Sequence, residues 1–167
     1  MLIIQPLHDD IATICDIFDS CRMDLSAQGI HQWDDQYPNI EVIRNDIHNE
    51  TIYAAVVDDQ IAGVISFDDY EMDEYSAINW SVNGGKHVIV HRLAVHPNFQ
   101  RLGIAKRLMD FVHETGIKQQ FQSVRLDVYS GNPHAVAFYE RLGYEHRGQV
   151  MFPRRIQPFY CMEKVLE

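Results

Sequence analysis

Apolar residues recur at helical spacing near the start of the chain. Ile11, Ile14, Phe18, Cys21 and Leu25 predict a helix over residues 9 to 27, with Asp9 or Asp10 as its N-cap. The stretch GIHQWDDQYPN breaks that pattern with Gly29 and Pro38, and a short helix is expected at 40 to 49. The period then changes. TIYAAVV and IAGVISF read as two strands turned around DDQ. DDYEMDEYS, 68 to 76, reads as an acidic loop, and HVIVHRLAV, 87 to 95, as the strongest strand. Residues 104 to 116 return to helical spacing, with Ile104, Leu108, Phe111, Val112 and Thr115 on one face. SVRLDVY at 123 to 129 is a strand again. GNPHAVAFYERLGY predicts a helix with Asn132 as N-cap, Pro133 at its first position and Gly143 at its end. Strands near 144 to 152 and 158 to 165 complete the pattern.

Strand 87–95, helix 104–116 and strand 123–129 form a βαβ unit, whose two strands run parallel. Added to the hairpins, it predicts a mixed α/β fold with a mostly antiparallel sheet. A length of 167 residues predicts one domain and suffices for a hydrophobic core without metals or disulfides. Composition changes little: 46% hydrophobic and 23% charged residues are ordinary for a globular chain. No apolar run approaches the roughly 20 residues of a membrane helix. The opening MLIIQPLHDD has no basic segment and does not read as a secretory signal. The 3 cysteines form no CxxC pair, which predicts reduced thiols and a cytoplasmic location. A formal charge of -10 argues against nucleic acid or an anionic membrane as partner.

One corner runs against the acidic balance. HPNFQRLGIAKRLMDFVHE, from residue 96, carries Arg101, Lys106 and Arg107 where the strand becomes the helix. A helix N-terminus has unpaired N–H groups and a partial positive charge, a ready anion site. Gly103 lets the backbone turn and a phosphate approach, and Ala105 is small beside it. The corner predicts a bound di- or polyphosphate. The P-loop GxxxxGK[ST] and the dinucleotide fingerprint GxGxxG are both absent.

HRLAVHPNFQRLGIAKRLM followed by VRLDVYSGNPHAVAFYERLGY closely resembles the GCN5-related N-acetyltransferases (GNAT). Gln100, Gly103 and Ala105 match, in order, the family's acetyl-CoA motif Q/R-x-x-G-x-G/A. The resemblance runs from Ile52 to the C-terminus and implies the GNAT-type fold, with helices on both faces of the sheet. It implies acetyl-CoA as cosubstrate and acetyl transfer to a primary amine by direct attack in a ternary complex. The pantetheine arm would pair with the backbone of Leu93, Ala94 and Val95. The pyrophosphate would lie on the amides of Arg101, Leu102, Gly103, Ile104, Ala105 and Lys106. Asn132 matches a position that often bonds pantetheine, and equally reads as a plain N-cap. Tyr139 matches the tyrosine that often protonates the departing thiolate, and otherwise reads as a core aromatic beside Phe138.

An alkylamine with a pKa of about 10.4 arrives protonated, so a base is needed. His91 is the candidate, at a position resembling one used by arylalkylamine acetyltransferases; Glu71, Glu74 and water remain alternatives. The 9 histidines match no zinc spacing, so no metal is expected. The cysteines match no nucleophile motif, which disfavours a covalent acetyl-cysteine route. Acceptor contacts are expected from residues 20 to 40, 68 to 86 and 151 to 159, with Trp33, Tyr37, Tyr70, Tyr75, Trp80 and Phe152 as aromatic walls and acidic residues between them. The acceptor amine, on a small molecule or a peptide, stays open. So does a homodimer, which many relatives form and an exposed edge strand would allow. The rival reading is a non-catalytic acyl-CoA-binding or sensing module that kept the phosphate corner.

Overall fold

The computed structural model describes all residues from Met1 to Glu167. Its elements in chain order are β1 (Leu2–Ile4), α1 (Ile11–Ala27), α2 (Ile40–His48), β2 (Ile52–Val57), β3 (Gln60–Asp68), β4 (His87–Val95), α3 (Ile104–Lys118), β5 (Ser123–Tyr129), α4 (Pro133–Arg141), β6 (Glu145–Val150) and β7 (Phe159–Val165). The strand order is β1-β2-β3-β4-β5-β7-β6. β4 and β5 are parallel, whereas the β1–β2, β2–β3, β5–β7 and β6–β7 pairs are antiparallel. This is the expected mixed sheet with its βαβ unit. No helix is long and apolar enough to cross a membrane.

The chain forms two compact units, Met1–Phe67 with Arg92–Phe111 and Asp68–His91 with Val112–Glu167. In the first unit, α1 buries Ile11, Ile14, Ile17, Phe18 and Cys21, close to the spacing read from the sequence. That face packs with Ile43 of α2, Ile52, Ala54 and Val64 of the hairpin, and Ala94 of β4. Asn39 caps α2 by accepting from the Val42 N–H at 3.1 Å. The β2–β3 hairpin turns on Asp58 and Asp59, both at positive φ (49° and 60°), the backbone that a tight two-residue hairpin requires. Trp33 is half-buried and meets Phe18 edge-on at 5.3 Å, so this aromatic is partly core.

β1 was not visible in the opening residues. It is only 3 residues long, pairs with β2, and has an exposed first residue, so neither length nor alternation betrays it.

In the second unit, α4 ends as its sequence predicts. Asn132 accepts from the Ala135 N–H at 3.1 Å, Pro133 opens the helix and Gly143 follows it at φ +88°. The acidic loop departs from expectation. It contains a 3-10 turn at Asp73–Ala77, and Tyr75 and Trp80 are 1% and 5% exposed. They pack with Ile89, Val150 and Cys161 as a core cluster, and both also border a surface cleft of about 570 Å³.

Candidate active site

The phosphate corner lies within the first unit. β4 ends at Val95, whose carbonyl accepts from Gln100 Nε2 at 3.2 Å and from the Cys21 thiol at 3.1 Å. Gln100, a motif residue, thus ties the loop back to the strand. His96 Nδ1 accepts from the Asn98 N–H at 3.1 Å and caps the short turn Pro97–Phe99. Arg101 and Gly103 then adopt left-handed backbone, with φ of +65° and +77°. A non-glycine residue rarely adopts this conformation, and such outliers gather at binding sites. α3 begins at Ile104, and its first closing bond runs from the Arg107 N–H to the Gly103 carbonyl at 3.0 Å. None of the N–H groups of Arg101 to Lys106 donates to a backbone carbonyl. A Cβ on Gly103 would meet nothing within 4 Å, so the turn itself demands glycine, and open space faces it. Successive N–H groups around left-handed residues form an anion-binding concavity, so the residues present fit a pyrophosphate.

Gly63 supports this corner from β3. A Cβ there would meet the Ala94 carbonyl at 2.9 Å, Val95 Cγ2 at 3.1 Å and Ile104 Cγ2 at 3.2 Å. Only glycine lets the end of β4 and the first residue of α3 come so close. Arg92 stands one residue before the expected pantetheine strand. It donates to Asp46 at 2.5 Å, to the Tyr37 hydroxyl at 2.8 Å and to Ser66 at 3.1 Å.

The second unit holds the other candidates. The β4–β5 ladder pairs His87 with Ser123, Val88 with Val124, Ile89 with Arg125 and Val90 with Leu126, and ends there. His91 and Asp127 are the next residues on the two strands. His91 Nε2 lies 2.6 Å from Asp68 Oδ1. Asp127 accepts a hydrogen bond from the Tyr75 hydroxyl at 2.7 Å. Desolvation pushes the Asp127 carboxyl up to about 6, against the downward pull of the Tyr75 bond and of His91. Tyr139 on α4 is 9% exposed, with Phe138 and Tyr144 edge-on at 5.1 and 5.8 Å. Burial first, and then the charge of Asp127, hold its phenol well above its ordinary value.

Below the ladder's end the same strand face is filled by paired charge. Arg125 donates to Glu163 at 3.2 Å, to the Val82 carbonyl at 2.5 Å and to Glu71, and its guanidinium lies 4.5 Å from the Trp80 ring centre. Glu163 also accepts from the Ser81 N–H at 2.7 Å and from the Ser123 hydroxyl at 2.9 Å. Burial pushes its carboxyl up, but these bonds outweigh that and hold it low. Glu71 is therefore bound to Arg125, while Glu74 is exposed. Two surface clefts of about 440 and 570 Å³ lie in this unit, and neither is lined by His91, Asp127 or Tyr139.

Asp68, Tyr75 and Asp127 were not singled out from the sequence as proton-handling residues. One signal was present: Arg125 and Asp127 alternate with Val124, Leu126 and Val128, and charges inside an apolar strand imply fixed partners.

The model of the acetyltransferase (GNAT) family matches residues 12–144, and the chain belongs to this family. The fold agrees with solved relatives. A GNAT-family acetyltransferase from Streptococcus agalactiae superposes with a TM-score of 0.87 at 23% identity, over 99% of this chain and 95% of that one. One from Listeria monocytogenes gives 0.76 at 22%, over 99% and 94%. The ribosomal-protein-S18-alanine N-acetyltransferase from Escherichia coli gives 0.71 at 14%, over 99% and 94%. At these identities the likeness is one of fold. Family membership makes acyl transfer the chemistry of this chain, and the family generally uses acetyl-CoA.

Proposed function

We propose that residues 1–167 form one N-acetyltransferase domain that moves the acetyl group of acetyl-CoA to a primary amine of a small molecule or peptide in the cytoplasm, without a metal. The observation that carries this reading is the corner at Arg101–Lys106: unpaired amides around two left-handed residues, in a chain of this family. Those amides hold the pyrophosphate, and the backbone of Leu93, Ala94 and Val95 takes the pantetheine. Gln100 shapes the loop through the Val95 carbonyl. Asn132 contributes first as the cap of α4, since its Oδ1 is spent on Ala135.

Acetyl-CoA supplies the acetyl group and carries away the sulfur as thiolate. The acceptor nitrogen must shed two protons in all, one to become nucleophilic and one as the amide forms. His91 takes the first, which leaves a neutral amine to form the C–N bond while the C–S bond breaks. The second ends on the thiolate, giving free CoA thiol. Tyr139 serves this end by hydrogen bonding. A phenol raised above its ordinary 10 is a weaker acid than a thiol near 8.5, so full transfer from Tyr139 to the thiolate runs uphill. The phenol keeps its proton and donates a hydrogen bond to the developing charge.

CoA thiol release from acetyl-CoA, measured against polyamines, arylalkylamines, aminoglycosides, amino acids and short peptides, tests the reading. Saturable release with one class is the expected result. Tight acetyl-CoA binding with no release from any class would favour an acyl-CoA-binding module instead.

A further inference from the structure

His91 stands where the β4–β5 ladder ends, and its imidazole is largely shielded, 13% exposed against 31% for the Asp68 side chain. Asp68 is the last residue of β3, and the Oδ1 that meets His91 also accepts from the Tyr70 N–H at 2.8 Å. The turn after the strand therefore fixes the carboxylate. A carboxylate only accepts hydrogen bonds. A neutral imidazole meeting it at 2.6 Å through Nε2 must carry its proton on that nitrogen. The opposite tautomer would press two lone pairs together. The structure records no hydrogen bond at His91 Nδ1.

We propose that Asp68 is the positioning residue for proton transfer: it holds His91 through Nε2–H and so makes Nδ1 the nitrogen that deprotonates the acceptor amine. This rests on the acetyl-transfer reading above. The step balances within the pair. The ammonium gives one proton to Nδ1 and becomes a neutral amine. The imidazole becomes imidazolium, keeps Nε2–H on Asp68, and later returns the added proton to solvent. Asp68 itself takes up no proton. The charged groups bearing on the imidazolium are Asp68 and Asp127, with Glu74 acting on Asp127, and all three are acidic.

Two readouts test this. Two-bond 1H–15N spectra of histidine-labelled protein at pH about 8.5, roughly two units above the ordinary histidine value, report the neutral tautomer without turnover. His91→Gln assigns the signal. The wild type is expected to show Nε2–H, and Asp68→Asn to lose that preference because an amide can also donate. In the amine assay Asp68→Asn is expected to lower kcat roughly 100-fold, the lower end of a general-base effect, with the KM for acetyl-CoA unchanged. Asp68→Glu, which keeps the carboxylate, should recover part of kcat and covers the case in which the asparagine variant misfolds. An Nδ1–H tautomer in the wild type overturns the inference, as does unchanged kcat in a folded Asp68→Asn protein. Failure of the wild type to acetylate any amine instead overturns the acetyl-transfer reading, and the spectra tell the two failures apart.

Discussion

The phosphate corner and the face of β5 solve opposite problems. At Arg101–Lys106 the chain leaves backbone N–H groups without a backbone partner, and Arg101, Leu102 and Gly103 are exposed. Around β5 the side chains carry everything: Arg125 and Ser123 of the strand pair with Glu163 of β7, which Ser81 of the preceding loop also bonds. The corner keeps backbone donors that no backbone carbonyl of the chain takes up. The β5 network is completed within it, and its work is to hold the residue 68–86 segment on the strands. A site made of backbone tolerates most side-chain changes but not a change of conformation. A site made of buried charge tolerates neither.

The largest expected effect tests the buried network. Arg125→Ala removes a cation that is 4% exposed and leaves the buried Glu163 only the longer Arg147 contact at 3.4 Å, which should cost up to about 3–5 kcal/mol in urea unfolding. A loss below about 1 kcal/mol would mean that the network is held by packing alone. Next, Tyr139→Phe keeps the ring and its edge-on contacts but loses the hydroxyl that we propose bonds to the thiolate. Turnover should fall about 100-fold with acetyl-CoA affinity nearly intact, the lower end of what losing a single charge-stabilising donor costs. Unchanged turnover would leave Tyr139 as a core aromatic.

Asp127 offers a pH test. Its carboxyl moves from 3.8 to about 6 on folding, so below pH 3.8 it is protonated in both states and costs nothing. As pH rises from 3.8 towards about 6 the unfolded chain gives up the proton while the folded chain keeps it, and the folded state loses stability. The stabilisation of Asp127→Asn over wild type should therefore grow between these values and level off above them, by up to about 3 kcal/mol. A flat difference across that range would place Asp127 in full solvent contact. The smallest effect belongs to the corner. Gly103→Ala forces a side chain into left-handed backbone at a cost of about 1 kcal/mol, with open space to receive it. Acetyl-CoA binding, followed by calorimetry, should weaken by roughly tenfold at most, and a larger loss would show that the loop has refolded.

Legibility followed the same divide. Gly103, Asn132, Pro133 and Gly143 announce turns and caps through local chemistry, so the helix boundaries and the corner could be read one residue at a time. The β2–β3 hairpin was readable from its alternation and its two aspartates. The partners of His91 and Asp127 were not. Asp68 and His91 are 23 residues apart, and Tyr75 and Asp127 are 52 apart, and no local rule links positions at such distances. Tyr75 and Trp80 read as pocket walls and do border a cleft, but the depth of their burial, 1% and 5% exposed, was not legible. The acceptor's identity depends on segments of this kind, so it was the least readable part.

The clamp on residues 68–86 has a kinetic meaning. A loop with no bonds to the sheet opens and closes on its own clock, and its amides exchange with solvent almost as freely as in an unfolded peptide. Here Tyr75 is tied to Asp127, Ser81 to Glu163 and the Val82 carbonyl to Arg125, three anchors within eight residues of sequence. Opening this stretch means breaking buried charged contacts, so its exchange should track the loss of the β5–β7 core. Whatever binds beside it meets a preformed wall, and the wait for a moving lid drops out of the binding rate.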